Sequence, residues 1–150
     1  MAVRALRTTR ADRIVYRRIV VPLGDDDESE LGVALAAELA PEGGGAAITA
    51  VVVVEIPAEL PLEAHMHDEE GLAKRALEKA SAIAASRGVP LRTRVVRARA
   101  RGEAIVAEAD AARADLIVLR APRHPGTALF GRTADYVLRH ASCRVLVLRP

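Results

Sequence analysis

Aromatic side chains are nearly missing from this chain, which has one Phe, two Tyr and no Trp in 150 residues. Proteins that stack bases on ring faces, or flip a base into a pocket, use such platforms. Their scarcity argues against a nucleic-acid binder. Cysteine is as scarce: the lone Cys143 excludes an internal disulfide and makes a reducing compartment the simpler setting. The longest apolar run, residues 46–54 (AAITAVVVV), falls far short of the ~20 residues that span a bilayer. Residues 1–18 alternate arginine with apolar residues and lack the apolar centre of a secretory signal. No charge sign dominates either, since 22 basic residues face 20 acidic ones. These absences lead us to expect a cytoplasmic domain without disulfide or membrane span.

What is present is aliphatic and periodic. Hydrophobic residues make up 51% of the chain, so Ala, Val, Leu and Ile must fill the interior of one domain. Residues 18–23 (RIVVPL) and 46–56 read as buried strands, apolar on both faces. The acids at 25–28 precede a helix expected over 29–40, and PEGGG at 41–45 stops it. After a loop at 57–68, the spacing of Leu72, Ala76, Ala80, Ile83 and Ala84 predicts a helix over 69–87, ended by Gly88. Residues 91–97 (LRTRVVR) alternate apolar and basic side chains as an edge strand does. A helix over 102–114, a strand over 115–119 (DLIVL), a helix over 132–140 and a strand over 144–148 complete the pattern.

Strands buried on both faces and alternating with helices imply an α/β fold, a parallel five-stranded sheet covered on both sides. In a doubly wound sheet the ligand crevice lies beyond the carboxyl ends of the strands where the order reverses. The segments following the first and fourth strands, 24–28 and 119–131 (LRAPRHPGTALFG), are the candidates for that place. The second carries prolines, arginines and a histidine where a phosphate cradle is usually glycine-rich.

Other constellations carry less chemistry. His65-Met66-His67 lacks the further ligands a metal site needs. Cys143 has no activating base near it in sequence apart from His140, and reads as a small buried residue. Ser29 and Ser142 sit in no nucleophile elbow. Asp25-Asp26-Asp27 is similar to the acidic pocket of phospho-receiver domains, but Arg97-Ala98 and Arg149-Pro150 stand where a receiver needs an Asp and a Lys. The glycine-rich loop of adenylyl-transferring enzymes is not present after the first strand. We therefore expect no catalysis and no metal centre.

Residues 16–23 (YRRIVVPL), 103–109 (EAIVAEA), 114–119 (ADLIVL) and above all 130–147 (FGRTADYVLRHASCRVLV) resemble the universal stress protein family. The resemblance implies strand order 3-2-1-4-5, a domain over 16–150 after a basic tail at 1–15, and homodimers joined through Val145, Leu146, Val147 and Leu148. It also implies an ATP or AMP site, and the carboxylates of Asp25–Asp27 would repel a triphosphate unless a cation such as Mg²⁺ sits between them. The ligand-binding candidates are Pro22, Leu23, Gly24, Asp25, Val53, Arg120, Arg123, Gly126, Gly131, Arg132 and Thr133. The family's loop pattern G-x-x-G-x9-G-S/T is degraded here. Arg120 and Arg123 fall on its first glycines, Gly131 on its last, and Arg132 on the hydroxyl position. The family's Gly-Asp before the third helix is Arg99-Ala100.

Residues 55–63 (EIPAELPLE) and 130–139 further resemble universal-stress domains appended to amino-acid permease-type transporters. Arg4, Arg7, Arg10 and Arg13 suit a segment near the inner membrane face. The expectation is a non-catalytic, dimeric regulatory or sensor domain, with a membrane transporter as one partner. The alternative is a stress-response protein that binds an adenine nucleotide.

Overall fold

The computed structural model describes residues 14–24, 30–121 and 130–149. Strands and helices alternate along them: β1 (Arg18–Leu23), α1 (Glu30–Leu39), β2 (Ala47–Glu55), α2 (His67–Ser86), β3 (Leu91–Ala98), α3 (Arg101–Ala111), β4 (Leu116–Arg120), α4 (Arg132–His140) and β5 (Arg144–Leu148). The five strands form one sheet in the order β3-β2-β1-β4-β5, parallel throughout. The order reverses beside β1, as expected of a doubly wound sheet.

The period-2 alternation of strand side chains divides the core in two. Ile19, Val21, Ile48, Ala50 and Val52 face α1 and α2, which contribute Val33, Ala36, Leu77, Ala80 and Ala84. Val20, Val51, Val53, Ile117 and Leu119 face α3 and α4, meeting Ile105, Ala109, Ala134 and Val137. Each fully buried Val or Ile contributes about 1.5–3 kcal/mol, against the entropy of ordering the chain. The amino ends of β1 and β4 are stitched together by one carboxylate. Asp115 accepts the backbone N–H of Arg17 at 2.9 Å and of Arg18 at 3.1 Å.

Several boundaries shift by one to three residues from expectation, and three of the shifts have a physical reason. Helix α2 begins at His67, before the first apolar position, because Asp68, Glu69 and Glu70 in its first turn suit the positive end of the helix dipole. Helix α3 stops at Ala111 rather than 114, where the chain turns through Arg113 with φ near 50°. Arg120 belongs to β4 and not to the loop beyond it, since its register with Leu148 continues the β4–β5 ladder. β3 is an edge strand as expected, largely exposed and bearing Arg92, Arg94 and Arg97, which protect an open edge. Among the described residues no helix is long and apolar enough to cross a membrane.

Candidate functional site

At the carboxyl edge of the sheet, on the α3–α4 side, lies a crevice of about 510 Å³. This falls within the roughly 300–1,000 Å³ typical of small-molecule sites. Its walls are Glu55 at the end of β2, Arg99 to Glu103 at the start of α3, and Arg132, Thr133 and Tyr136 on α4. Two helix N-termini therefore open onto one space, and backbone N–H groups at such ends attract anions.

The two ends are finished differently. Ala100 at the N-cap of α3 offers no side-chain hydrogen bond. Instead Glu55 reaches across from β2, and its Oε1 accepts the N–H of Arg101 at 3.0 Å. Helix α4 has Gly131 at its N-cap, with φ near 85° and ψ near 165° and no side-chain cap. Only glycine takes this backbone readily, and a Cβ there would meet nothing within 4 Å. Backbone shape, not crowding, requires glycine at this turn.

Arginine dominates the rim. The Arg99 guanidinium donates to the carbonyls of Ile56 and Pro57, pinning the segment that leaves β2. Arg101 lines the crevice, yet its Nε is buried and has no hydrogen-bond partner among the described residues. The floor is set by a close helix crossing. A Cβ built on Gly102 would stand 2.8 Å from Tyr136 Cβ, so α3 and α4 approach as they do only because residue 102 has no side chain. Beyond the crossing, the Tyr136 ring stacks on His140 at 4.0 Å.

Of the residues expected at a ligand, Arg132 and Thr133 line this crevice and Gly131 starts their helix. Val53 is buried beneath the α3–α4 face. Pro22 is half-buried, while the Leu23 side chain packs on the opposite face with α1 and α2. Gly24 follows β1, and Arg120 ends β4. Asp25, Arg123 and Gly126 lie outside the described residues. Glu55, Arg101, Gly102 and Tyr136 were not expected. The alternating RARAR at 97–101 was the one signal that could have drawn attention to Arg101.

The remaining candidates are accounted for by local contacts. His65 and His67 stack with centroids 5.9 Å apart, and His65 Nδ1 lies 3.8 Å from a Glu70 carboxylate that also pairs with Arg97. That arginine holds the Glu70 carboxyl below the usual glutamate range. Among the described residues no group of three or more His, Cys, Asp or Glu is placed to hold a metal ion. Burial, then the charges of Asp110 and Asp115, push the Cys143 thiol up, which makes it a poor nucleophile.

A doubly wound parallel sheet with a small-molecule crevice at its carboxyl edge is the architecture of a nucleotide-binding-like α/β domain. Residues 15–149 match the universal stress protein family model, and the chain belongs to that family. It is similar to a universal stress protein of Lactobacillus plantarum, at 26% identity and TM-score 0.71, over 91% of this chain and 100% of that one. A family protein from Burkholderia pseudomallei is 27% identical, with TM-score 0.65, over 89% and 96% of the two chains. The fold also matches a universal stress protein of Archaeoglobus fulgidus in complex with dAMP, at 23% identity and TM-score 0.70, over 89% and 98%. No curated protein sequence matches this chain.

Proposed function

We propose that this chain is a non-catalytic sensor domain that binds an adenine mononucleotide in the α3–α4 crevice. The observation that carries the reading is the meeting, in one space of nucleotide size, of the uncapped N-terminus of α4 with Arg101 and Arg132. Positive charge and backbone donors bind an anion there without activating a nucleophile. The dAMP bound by the Archaeoglobus fulgidus protein supports adenine as the base. Mg²⁺ with a triphosphate is a further step of this proposal, in which a cation would offset the repulsion between Asp25 and the phosphates. Calorimetric titration with AMP, and with ATP in the presence and absence of Mg²⁺, tests this. Micromolar to submillimolar AMP binding supports the reading, and a flat AMP titration to millimolar overturns it.

The domain is further proposed to act as a homodimer through β5. Among the described residues that strand pairs only with β4, and it leaves Leu146 36% exposed on an open edge. Such an edge is normally covered or paired, and a two-fold axis would set Val145 and Val147 of two copies beside each other. Sedimentation showing a monomer at micromolar concentration would remove this claim.

A second reading is a regulatory module that works by protein contact, with a membrane transporter as the proposed partner. One observation favours it: Arg99 occupies the place of a family glycine and is tied to the carbonyls of Ile56 and Pro57. A bulky side chain there narrows backbone access to a ligand. Absence of nucleotide binding, together with capture of the domain by the cytoplasmic segments of a transporter, would favour this second reading.

A further inference from the structure

We infer that Arg101 and Arg132 form a two-arginine clamp for the phosphoryl group of the bound ligand. The inference rests on the proposed nucleotide reading and assigns roles that the family's loop pattern does not supply. Arg101 is the first residue of α3 and Arg132 the first residue of α4, and both line the same crevice. Each guanidinium is a rigid fork matched to phosphate oxygens, and each stands at a helix end where the dipole already favours negative charge.

The state of Arg101 gives the inference its direction. A buried guanidinium nitrogen is normally paired, yet its Nε has no acceptor among the described residues. The nearby carboxylate of Glu55 is engaged by the backbone N–H of the same residue, at 3.0 Å. Arg99, also on the wall, is already engaged, donating to the carbonyls of Ile56 and Pro57. Arg101 therefore has little protein bonding to give up when an anion enters, and a rotamer change that brings its Nε–Nη edge to a phosphoryl oxygen supplies the missing acceptor. Glu103, on the same wall, repels anions that do not engage both arginines. The clamp thus selects a phosphorylated ligand over its uncharged nucleoside.

The test compares AMP, adenosine and inorganic phosphate by calorimetry on the wild-type chain, Arg101→Met and Arg101→Lys. Methionine keeps the apolar stem and removes the fork, so the melting temperature should not fall. Loss of a charge-assisted, forked contact should weaken AMP binding roughly tenfold to a hundredfold. Adenosine binding should be unchanged, and Arg101→Lys intermediate. If wild type binds AMP and Arg101→Met binds it equally well, the clamp is overturned while the nucleotide reading stands. If wild type binds neither AMP nor inorganic phosphate, the nucleotide reading falls, and the inference with it. If inorganic phosphate alone binds and depends on Arg101, the clamp is upheld and its ligand is free phosphate.

Discussion

Replacing Gly102 with alanine sets two effects against each other, and their magnitudes decide the sign. Removing a glycine from a helix ordinarily stabilises by up to about 1 kcal/mol, and less in a first turn, where residue 102 sits. Against this, the new Cβ would stand 2.8 Å from Tyr136 Cβ and 3.0 Å from its Cγ and Cδ1. Two of those atoms are ring carbons on a half-buried side chain, but the nearest is anchored to the α4 backbone. Rotating the ring cannot relieve the contact, so α3 and α4 must separate. Overpacking of this kind costs about 1–3 kcal/mol, leaving a net loss of about 1–2 kcal/mol. For a domain of this size each kcal/mol lowers Tm by about 2–4 °C, so a fall of about 2–8 °C is expected by calorimetry. Gly102→Ala combined with Tyr136→Ala should not recover stability, because alanine keeps the offending Cβ. Combination with Tyr136→Gly should recover part of the Gly102→Ala defect. An unchanged or raised Tm for Gly102→Ala would refute the close crossing and the crevice floor built on it.

Three other outcomes follow from particular contacts. Glu55→Ala removes the only side-chain cap found on α3 among the described residues. It should lower stability by about 1 kcal/mol in urea melts, with helical signal lost first from α3 by hydrogen exchange. Asp115→Ala leaves the N–H groups of Arg17 and Arg18 without their acceptor; a loss of about 1–3 kcal/mol is expected, and a neutral result would show that water replaces the carboxylate. Because the Cys143 thiol is pushed up, first by burial and then by Asp110 and Asp115, its thiolate forms above the usual cysteine range. Alkylation by iodoacetamide at pH 8 should then be slower than for free cysteine and rise steeply at higher pH, whereas fast labelling at pH 8 would contradict the assigned environment.

Much of the fold was legible because both faces of this sheet are covered. Apolar runs such as 19–23 and 116–119 carry no polar interruptions, and the structure makes them neighbours across the switch point, with Ile19 beside Leu116. The strand order came from the family resemblance and not from the pattern itself, since nothing in a run of valines names its neighbour. Element ends were harder. Hydrophobic periodicity does not see His67, which starts a helix for electrostatic reasons, or Arg120, which extends a strand because its partner strand continues. The site was legible only in part. Arg132, Thr133 and Gly131 follow from the family's loop pattern. Arg101, Glu55 and the Gly102–Tyr136 crossing depend on segments distant in sequence meeting at the carboxyl edge of the sheet. No local spacing encodes such a meeting. The surviving residues of the loop pattern mark the helix that opens onto the crevice, and Arg99, which replaces a family glycine, gives the crevice its character together with Arg101.

The most direct test is an amide chemical-shift titration of the ¹⁵N-labelled full chain with AMP. If the crevice is the ligand site, the largest and saturable shifts fall on residues 131–136 at the start of α4 and 100–104 at the start of α3. The amides of β5 and of α2 should stay in place. No shifts at millimolar AMP, or shifts confined to residues away from the two helix N-termini, would contradict the assignment of this crevice as a nucleotide site.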